Sequence, residues 1–133
     1  MASIAKVVLS TASPAAVWDA VRDIGALHTR LVPGFVVATE IIPGGRRVTF
    51  ANGVVIDEPI ISSDDTARRL VWTARGATLQ FTHYNGAVQV FPRDDGGSRV
   101  VWTADLLPNE MASAVDQMMD QGAAAMTRAL AKL

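Results

Sequence analysis

Glu58, His83 and Tyr84 are the side chains here whose chemistry suits acid–base work or hydrogen bonding inside an apolar setting. Glu58 stands in the run Ile56-Asp57-Glu58-Pro59-Ile60. Alternation along a strand puts Ile56, Glu58 and Ile60 on one face and Asp57 on the other. A carboxylate that shares a face with isoleucines must be paired, hydrogen-bonded or raised in pKa. It reads either as a ligand anchor or general base, or as half of an ion pair with a basic residue on a neighbouring strand, such as Arg47. His83 could move a proton, and Tyr84 could donate to a ligand carbonyl. Neighbours on a regular strand point opposite ways, so only one of them turns inward. Tyr84 shares a face with Gly86, Val88 and Val90, whereas a bulge at Asn85-Gly86 would turn Phe81 and His83 inward instead.

Other chemistries find little footing. The chain of 133 residues contains no cysteine, so disulfides, thiolate catalysis and cysteine-type zinc sites are excluded. Its two histidines, His28 and His83, are isolated, and no metal site is expected. There is no G-x-S-x-G nucleophile motif. Gly44-Gly45 and Gly96-Gly97 read as hairpin turns rather than phosphate loops at helix starts, so no cofactor is implied. The net charge is −1 and the longest basic runs are Arg46-Arg47 and Arg68-Arg69, which argues against a nucleic-acid partner. No apolar run approaches the roughly 18 residues of a membrane span. The N-terminus has no basic segment followed by an apolar core, so a soluble, cytoplasmic protein is expected.

Strands and a few helices must position these groups. Residues 3–10 are rich in Val, Ile and Leu and predict a first strand. Ser13-Pro14 reads as N-cap and first residue of a helix reaching Arg22, and residues 26–31 as a second short helix before Pro33-Gly34. Six strands follow, over 35–42, 46–51, 54–62, 69–75, 78–91 and 99–107, with Asn52-Gly53 as the strongest hairpin signal and Pro59 hinting at an edge or a bulge. Short turns make consecutive strands antiparallel. On the last strand Val100, Trp102, Ala104 and Leu106 share the inner face, and Leu70, Trp72 and Ala74 form another inner row. The sum is one α+β domain over residues 1–133, of about seven strands.

Residues 109–133 predict a long amphipathic helix with Asn109 as N-cap, roughly 35 Å long. Its apolar stripe is Met111, Val115, Met118, Met119, Gly122, Met126, Leu130 and Leu133. Methionine, glycine and alanine dominate that stripe. Glycine inside a helix costs about 1 kcal/mol against alanine, so its presence means either close packing on the sheet or a helix that walls a cavity. Trp18, Trp72 and Trp102 are most simply core aromatics, though Trp72 and Trp102 could line such a pocket.

Scattered residues carry a resemblance. Ser13-Pro14-Ala15-Ala16-Val17-Trp18-Asp19-Ala20-Val21-Arg22-Asp23 is similar to the first helix of the START/Bet v 1-like (SRPBCC) superfamily, polyketide cyclase/dehydrase group. Asn52-Gly53, the acidic Asp57-Glu58, the stretch from Asp64 to Leu70, and Gly97-Ser98-Arg99-Val100-Val101-Trp102-Thr103 before a Met/Ala-rich last helix extend it along the whole chain. One departure is Val32, where many relatives place an aromatic before the equivalent of Pro33. The resemblance implies the helix-grip fold, a curved antiparallel sheet wrapped around the long helix with a cavity between them. It implies a small hydrophobic, lipid- or polyketide-like ligand held by Ile56, Glu58, Trp72, Tyr84, Trp102, Met118, Gly122 and Met126. Two alternatives stand beside ligand binding. One is a cyclase or dehydratase using Glu58, His83 or Tyr84 without cofactor; the other is a protein-interaction module whose cavity is vestigial.

Overall fold

A computed structural model describes residues 1–76 and 79–133. Its strands are β1 (Ala2–Ser10), β2 (Val36–Ile42), β3 (Gly45–Phe50), β4 (Val55–Asp64), β5 (Arg69–Trp72), β6 (His83–Pro92) and β7 (Ser98–Leu107). They form one seven-stranded antiparallel sheet in the order β1-β7-β6-β5-β4-β3-β2. Every strand except β1 therefore lies next to its neighbour in sequence, and β1 closes onto β7 from the far side, with Ile4 opposite Ala104 and Val8 opposite Val100.

Helix α1 (Pro14–Arg22) starts where the sequence places it. Ser13 is extended, its hydroxyl accepts from the Ala16 N–H at 3.2 Å, and Pro14 loses no hydrogen bond at N1. The predicted second helix is a short 3-10 turn, Ile24–Ala26, running into a single π turn, Leu27–Leu31. Leu27 and Leu31 bury themselves against the sheet, and Nδ1 of His28 lies 3.0 Å from the Thr39 hydroxyl of β2.

Helix α2 (Ala112–Leu130) lies across the concave face. Asn109 is not its N-cap. Residues Asn109–Met111 form a 3-10 turn in which the Met111 N–H bonds the Pro108 carbonyl, and the N-cap of α2 is Met111, with no side-chain acceptor. The tighter turn occupies part of what a capping side chain would serve. At the other end Leu133 is exposed beyond the helix, so the buried stripe closes at Leu130. Lys6 on β1 holds α2 from the sheet edge, with Nζ 2.7 Å from both Asp116 and Asp120.

The inner face of the sheet is read correctly from alternation. Val100, Trp102, Ala104 and Leu106 are buried on β7, as are Tyr84, Gly86, Val88 and Val90 on β6. The β6–β7 register runs without interruption from His83–Leu107 to Pro92–Ser98, so there is no bulge at Asn85-Gly86. The long strand expected over 78–91 begins at His83; its expected start at Thr78 lies outside the described residues. A bulge does follow Pro59, between Ile60 and Ser62. Residues such as Leu70, Leu106, Met119 and Met126 are fully buried between sheet and helix, each worth about 1.5–3 kcal/mol of transfer free energy.

Candidate functional site

The concave face and α2 do not meet everywhere. A cavity of about 80 Å3 remains between them, against the 10–15 Å3 that admits one water. Trp72, Tyr84 and Trp102 line it from β5, β6 and β7, and Met118 and Met126 from α2. Val21 of α1 and Leu27, Leu31 and Val32 close the end under the short turns. An outer recess of about 380 Å3 adjoins it, between the β3–β4 turn, residues 79–81 and the first half of α2. Phe35, Phe50, Ile56, Phe81 and Met118 line both spaces and so form the partition between them. Phe35 and Phe50 meet edge to face with centroids 5.4 Å apart, and Phe81 packs on Tyr84 at 5.0 Å.

The cavity has one polar pole. Glu58 is 8% exposed and accepts from Arg46 Nε at 2.8 Å, while Arg46 is 2% exposed and its guanidinium carbon lies 5.6 Å from the centroid of Trp72. Arg46 Nη1 also donates to the Ile24 carbonyl at 3.4 Å. Burial raises the Glu58 carboxyl above the ordinary range, and the Arg46 charge and hydrogen bond pull it only part of the way back. Burial also pushes the Tyr84 phenol up, and the Glu58 charge adds to it, so Tyr84 remains a hydrogen-bond donor. A carboxyl that takes its proton at elevated pH beside a protonated phenol can anchor a polar group or exchange a proton.

Arg46, not Arg47, is the partner of Glu58. Arg47 lies on the outer face and pairs with Asp57 at 2.8 Å. The reason is the turn. A two-residue Asn52-Gly53 hairpin would set Arg47 opposite Glu58. The chain instead uses residues 51–53, with the Phe50 N–H bonding the Val54 carbonyl and Gly53 at φ +88°. One added loop residue moves the register so that Arg46 faces Glu58 and Arg47 faces Asp57.

Ile56, Glu58, Trp72, Tyr84, Trp102, Met118 and Met126 thus come together around one cavity. Two candidates do not. His83 is exposed on the outer face of β6, because the unbroken register turns Tyr84 inward. Gly122 does not line the cavity: a Cβ there would sit 2.7 Å from Trp102 Cζ3, 2.8 Å from its Cη2 and 3.1 Å from Phe35. Its lack of a side chain lets α2 approach the indole ring, which is close packing rather than open space. Sequence reasoning missed Arg46, Phe35 and Phe50, and turned Phe81 inward only through a bulge at Asn85-Gly86 that β6 does not have. Inward alternation with Val48 marks Arg46 and Phe50 on β3, whereas Phe35 and Phe81 lie outside the strands, where no periodicity applies.

The whole chain, residues 1–133, matches the family described as polyketide cyclase / dehydrase and lipid transport. Comparison with curated proteins finds no match. Among solved structures, a protein from Thermobifida fusca is similar at 28% identity, over 98% of this chain and 97% of that one, with a TM-score of 0.74. The Zhui aromatase/cyclase of Streptomyces sp. R1128 superposes at 16% identity over 97% and 90% of the two chains, TM-score 0.76. A START superfamily protein of Mycobacterium smegmatis does so at 13% identity over 96% of each, also at 0.76. The last two likenesses concern the fold, a sheet gripping a terminal helix. With the full-length family match and the helix-grip architecture both in hand, this chain belongs to the polyketide cyclase/dehydrase and lipid transport family.

Proposed function

We propose that this protein binds a small hydrophobic or aromatic molecule, lipid- or polyketide-like, between its sheet and α2. The observation that carries this reading is an apolar cavity lined by four aromatic side chains of the sheet, Phe50, Trp72, Tyr84 and Trp102, and two methionines of the helix, with a single polar pole. Methionine and aromatic walls adapt to flat or irregular apolar shapes, and a few convergent polar groups fix orientation. The family match and the likeness to an aromatase/cyclase support the same class of ligand. Mass spectrometry of protein purified under native conditions tests it. A co-purified apolar molecule, displaced when Met126→Trp fills the space, is the expected result. Repeated recovery of empty protein that also takes up no apolar probe would overturn it.

A second reading, a cyclase or dehydratase, is favoured by one feature: Glu58 is buried with a raised pKa next to a protonated Tyr84. In that mechanism the cavity holds the substrate folded, Tyr84 donates to a carbonyl and Glu58 moves the proton. Glu58→Gln keeps the size and the acceptor oxygen facing Arg46 but cannot take up a proton. Turnover of a converted substrate should fall by about 100-fold or more, while its binding persists. Unchanged turnover removes Glu58 from the chemistry.

A further inference from the structure

The inner cavity by itself is too small for even one aromatic ring. An apolar cavity of about 150 Å3 is what admits benzene, and the inner space is about 80 Å3. The outer recess, at about 380 Å3, reaches the roughly 300–1,000 Å3 of ordinary ligand pockets. What separates the two is thin. Phe35, Phe50, Ile56, Phe81 and Met118 line both spaces, and each of the five is only partly buried. Trp72, Tyr84, Trp102 and Met126 line the inner space alone and are buried. Large apolar side chains with room on both sides make a partition, not a packed core. Two of the five can yield. Phe81 stands outside the strands, two residues before β6, and Met118 carries a flexible thioether. Phe35 is the fixed side: its ring closes on Gly122 of α2, where a Cβ would lie 3.1 Å from Cε2.

We propose that the recess and the inner cavity are one binding site, entered from the recess through a gate of Phe81 and Met118. This rests on the ligand-binding reading above and adds to it where the ligand lies and what its outer end is. The apolar end passes the gate and stops against Trp72 and Trp102. The outer end stays in the recess, whose polar walls among the described residues are the amides Asn52, Gln117 and Gln121. All three are exposed. Asn52 Oδ1 accepts from the Val54 N–H at 3.0 Å, which leaves its amide nitrogen as a donor. Amides donate to and accept from hydroxyls and carbonyls, but they offer an ion no counter-charge for its lost hydration. The ligand class is an elongated apolar molecule with an uncharged hydrogen-bonding end.

The test is calorimetric titration of the full chain with straight-chain primary alcohols from 1-butanol to 1-decanol. Affinity should rise by roughly fourfold per added methylene, through decanol, as the chain fills the recess and then passes the gate. Met126→Trp, which fills the inner cavity, should stop that rise several carbons short. Ala114→Trp, which fills the recess from an exposed position on α2, should weaken the whole series. Should Met126→Trp fold poorly, NMR contacts between the decanol methyl and the Trp72 ring of wild type decide in its place, and their absence overturns the joint site. Phe81→Ala should quicken entry and exit alike, followed by tryptophan fluorescence after rapid mixing; unchanged rates overturn the gate. A series blunted by Ala114→Trp but indifferent to Met126→Trp puts the ligand in the recess alone and overturns the joint site. The reverse pattern confines it to the inner cavity, which overturns the joint site and leaves the ligand-binding reading standing. Decanoate bound as tightly as decanol overturns the uncharged end. Binding of no alcohol by wild type overturns the ligand-binding reading itself, and the joint site with it.

Discussion

Arg46–Glu58 and Arg47–Asp57 occupy adjacent rungs of the β3–β4 ladder, and each joins guanidinium Nε to carboxylate oxygen at 2.8 Å. Their surroundings separate them. The inner pair is 3% and 10% exposed at its side chains and the outer pair 46% and 34%. The Asp57 carboxyl is held below its ordinary value by the hydrogen bond from Arg47, whereas burial drives Glu58 above its own despite an arginine at the same distance. The same Nε contact thus accompanies opposite shifts, with Arg47 adding a second hydrogen bond from Nη2 to Asp57 Oδ2 at 3.2 Å. Desolvation, not the contact, sets the chemistry of the inner carboxylate.

The largest difference between the rungs should come from removing an arginine. Arg46→Ala strands a buried carboxylate and should cost about 3–5 kcal/mol at neutral pH, read by urea unfolding. The loss should shrink in acid, where Glu58 is protonated. A cost as small as that of Arg47→Ala would mean that water reaches the inner pair. Replacing both inner partners at once, Arg46→Met with Glu58→Leu, should recover most of that loss, since buried ion pairs exchanged for apolar residues of similar volume are often neutral or stabilising by about 1–4 kcal/mol. If the double variant were no more stable than Arg46→Ala, the cost would lie in lost packing on Trp72 rather than in an unpaired charge.

The two carboxylates also bend stability with pH in opposite directions. Glu58 holds its proton more tightly folded than unfolded, so its contribution is complete below the ordinary value of 4.5 and is lost as pH rises through its raised folded value. Asp57 contributes above its ordinary value of 3.8, and that contribution is lost as pH falls through its depressed one. Urea midpoints of wild type and Glu58→Gln should therefore converge or cross as pH climbs above 4.5, with wild type losing ground. Asp57→Asn should lie below wild type by a constant amount at neutral pH, and the two should converge only in acid. A constant offset between wild type and Glu58→Gln over that range would contradict a raised Glu58.

The faces of this sheet were legible because alternation is a two-state code. It put Glu58, Tyr84, Trp72 and Trp102 on the inner side without any coordinates, and the unbroken β6–β7 register kept His83 out. The partner of Glu58 was not legible, since it turned on whether the Asn52-Gly53 loop holds two residues or three, a difference of one backbone hydrogen bond at Phe50. A slip of one residue would exchange the fates of two consecutive arginines. Gly122 was ambiguous for a different reason. A missing side chain marks either a void or a close approach, and only the opposing group decides which; here it is the Trp102 ring. The partition formed by Phe35, Phe50 and Phe81 stayed hidden because two of the three stand outside the strands, where direction depends on how the chain turns.

The outer rung supplies the smallest expected effect and the sharpest control. Arg47 and Asp57 keep much of their hydration, so their Coulomb energy is screened and is offset by the ordering of two side chains. A double-mutant cycle of Arg47→Ala and Asp57→Ala should show a coupling near the limit of measurement, and added salt should abolish it. The matching cycle at Arg46 and Glu58 should show a large coupling that salt barely changes, because the pair lies out of reach of the ions that screen its neighbour. Equal couplings, or equal salt sensitivities, would mean that position on the inner or outer face of β3 and β4 does not govern these charges. The raised carboxyl on which the catalytic reading depends would then have no physical cause.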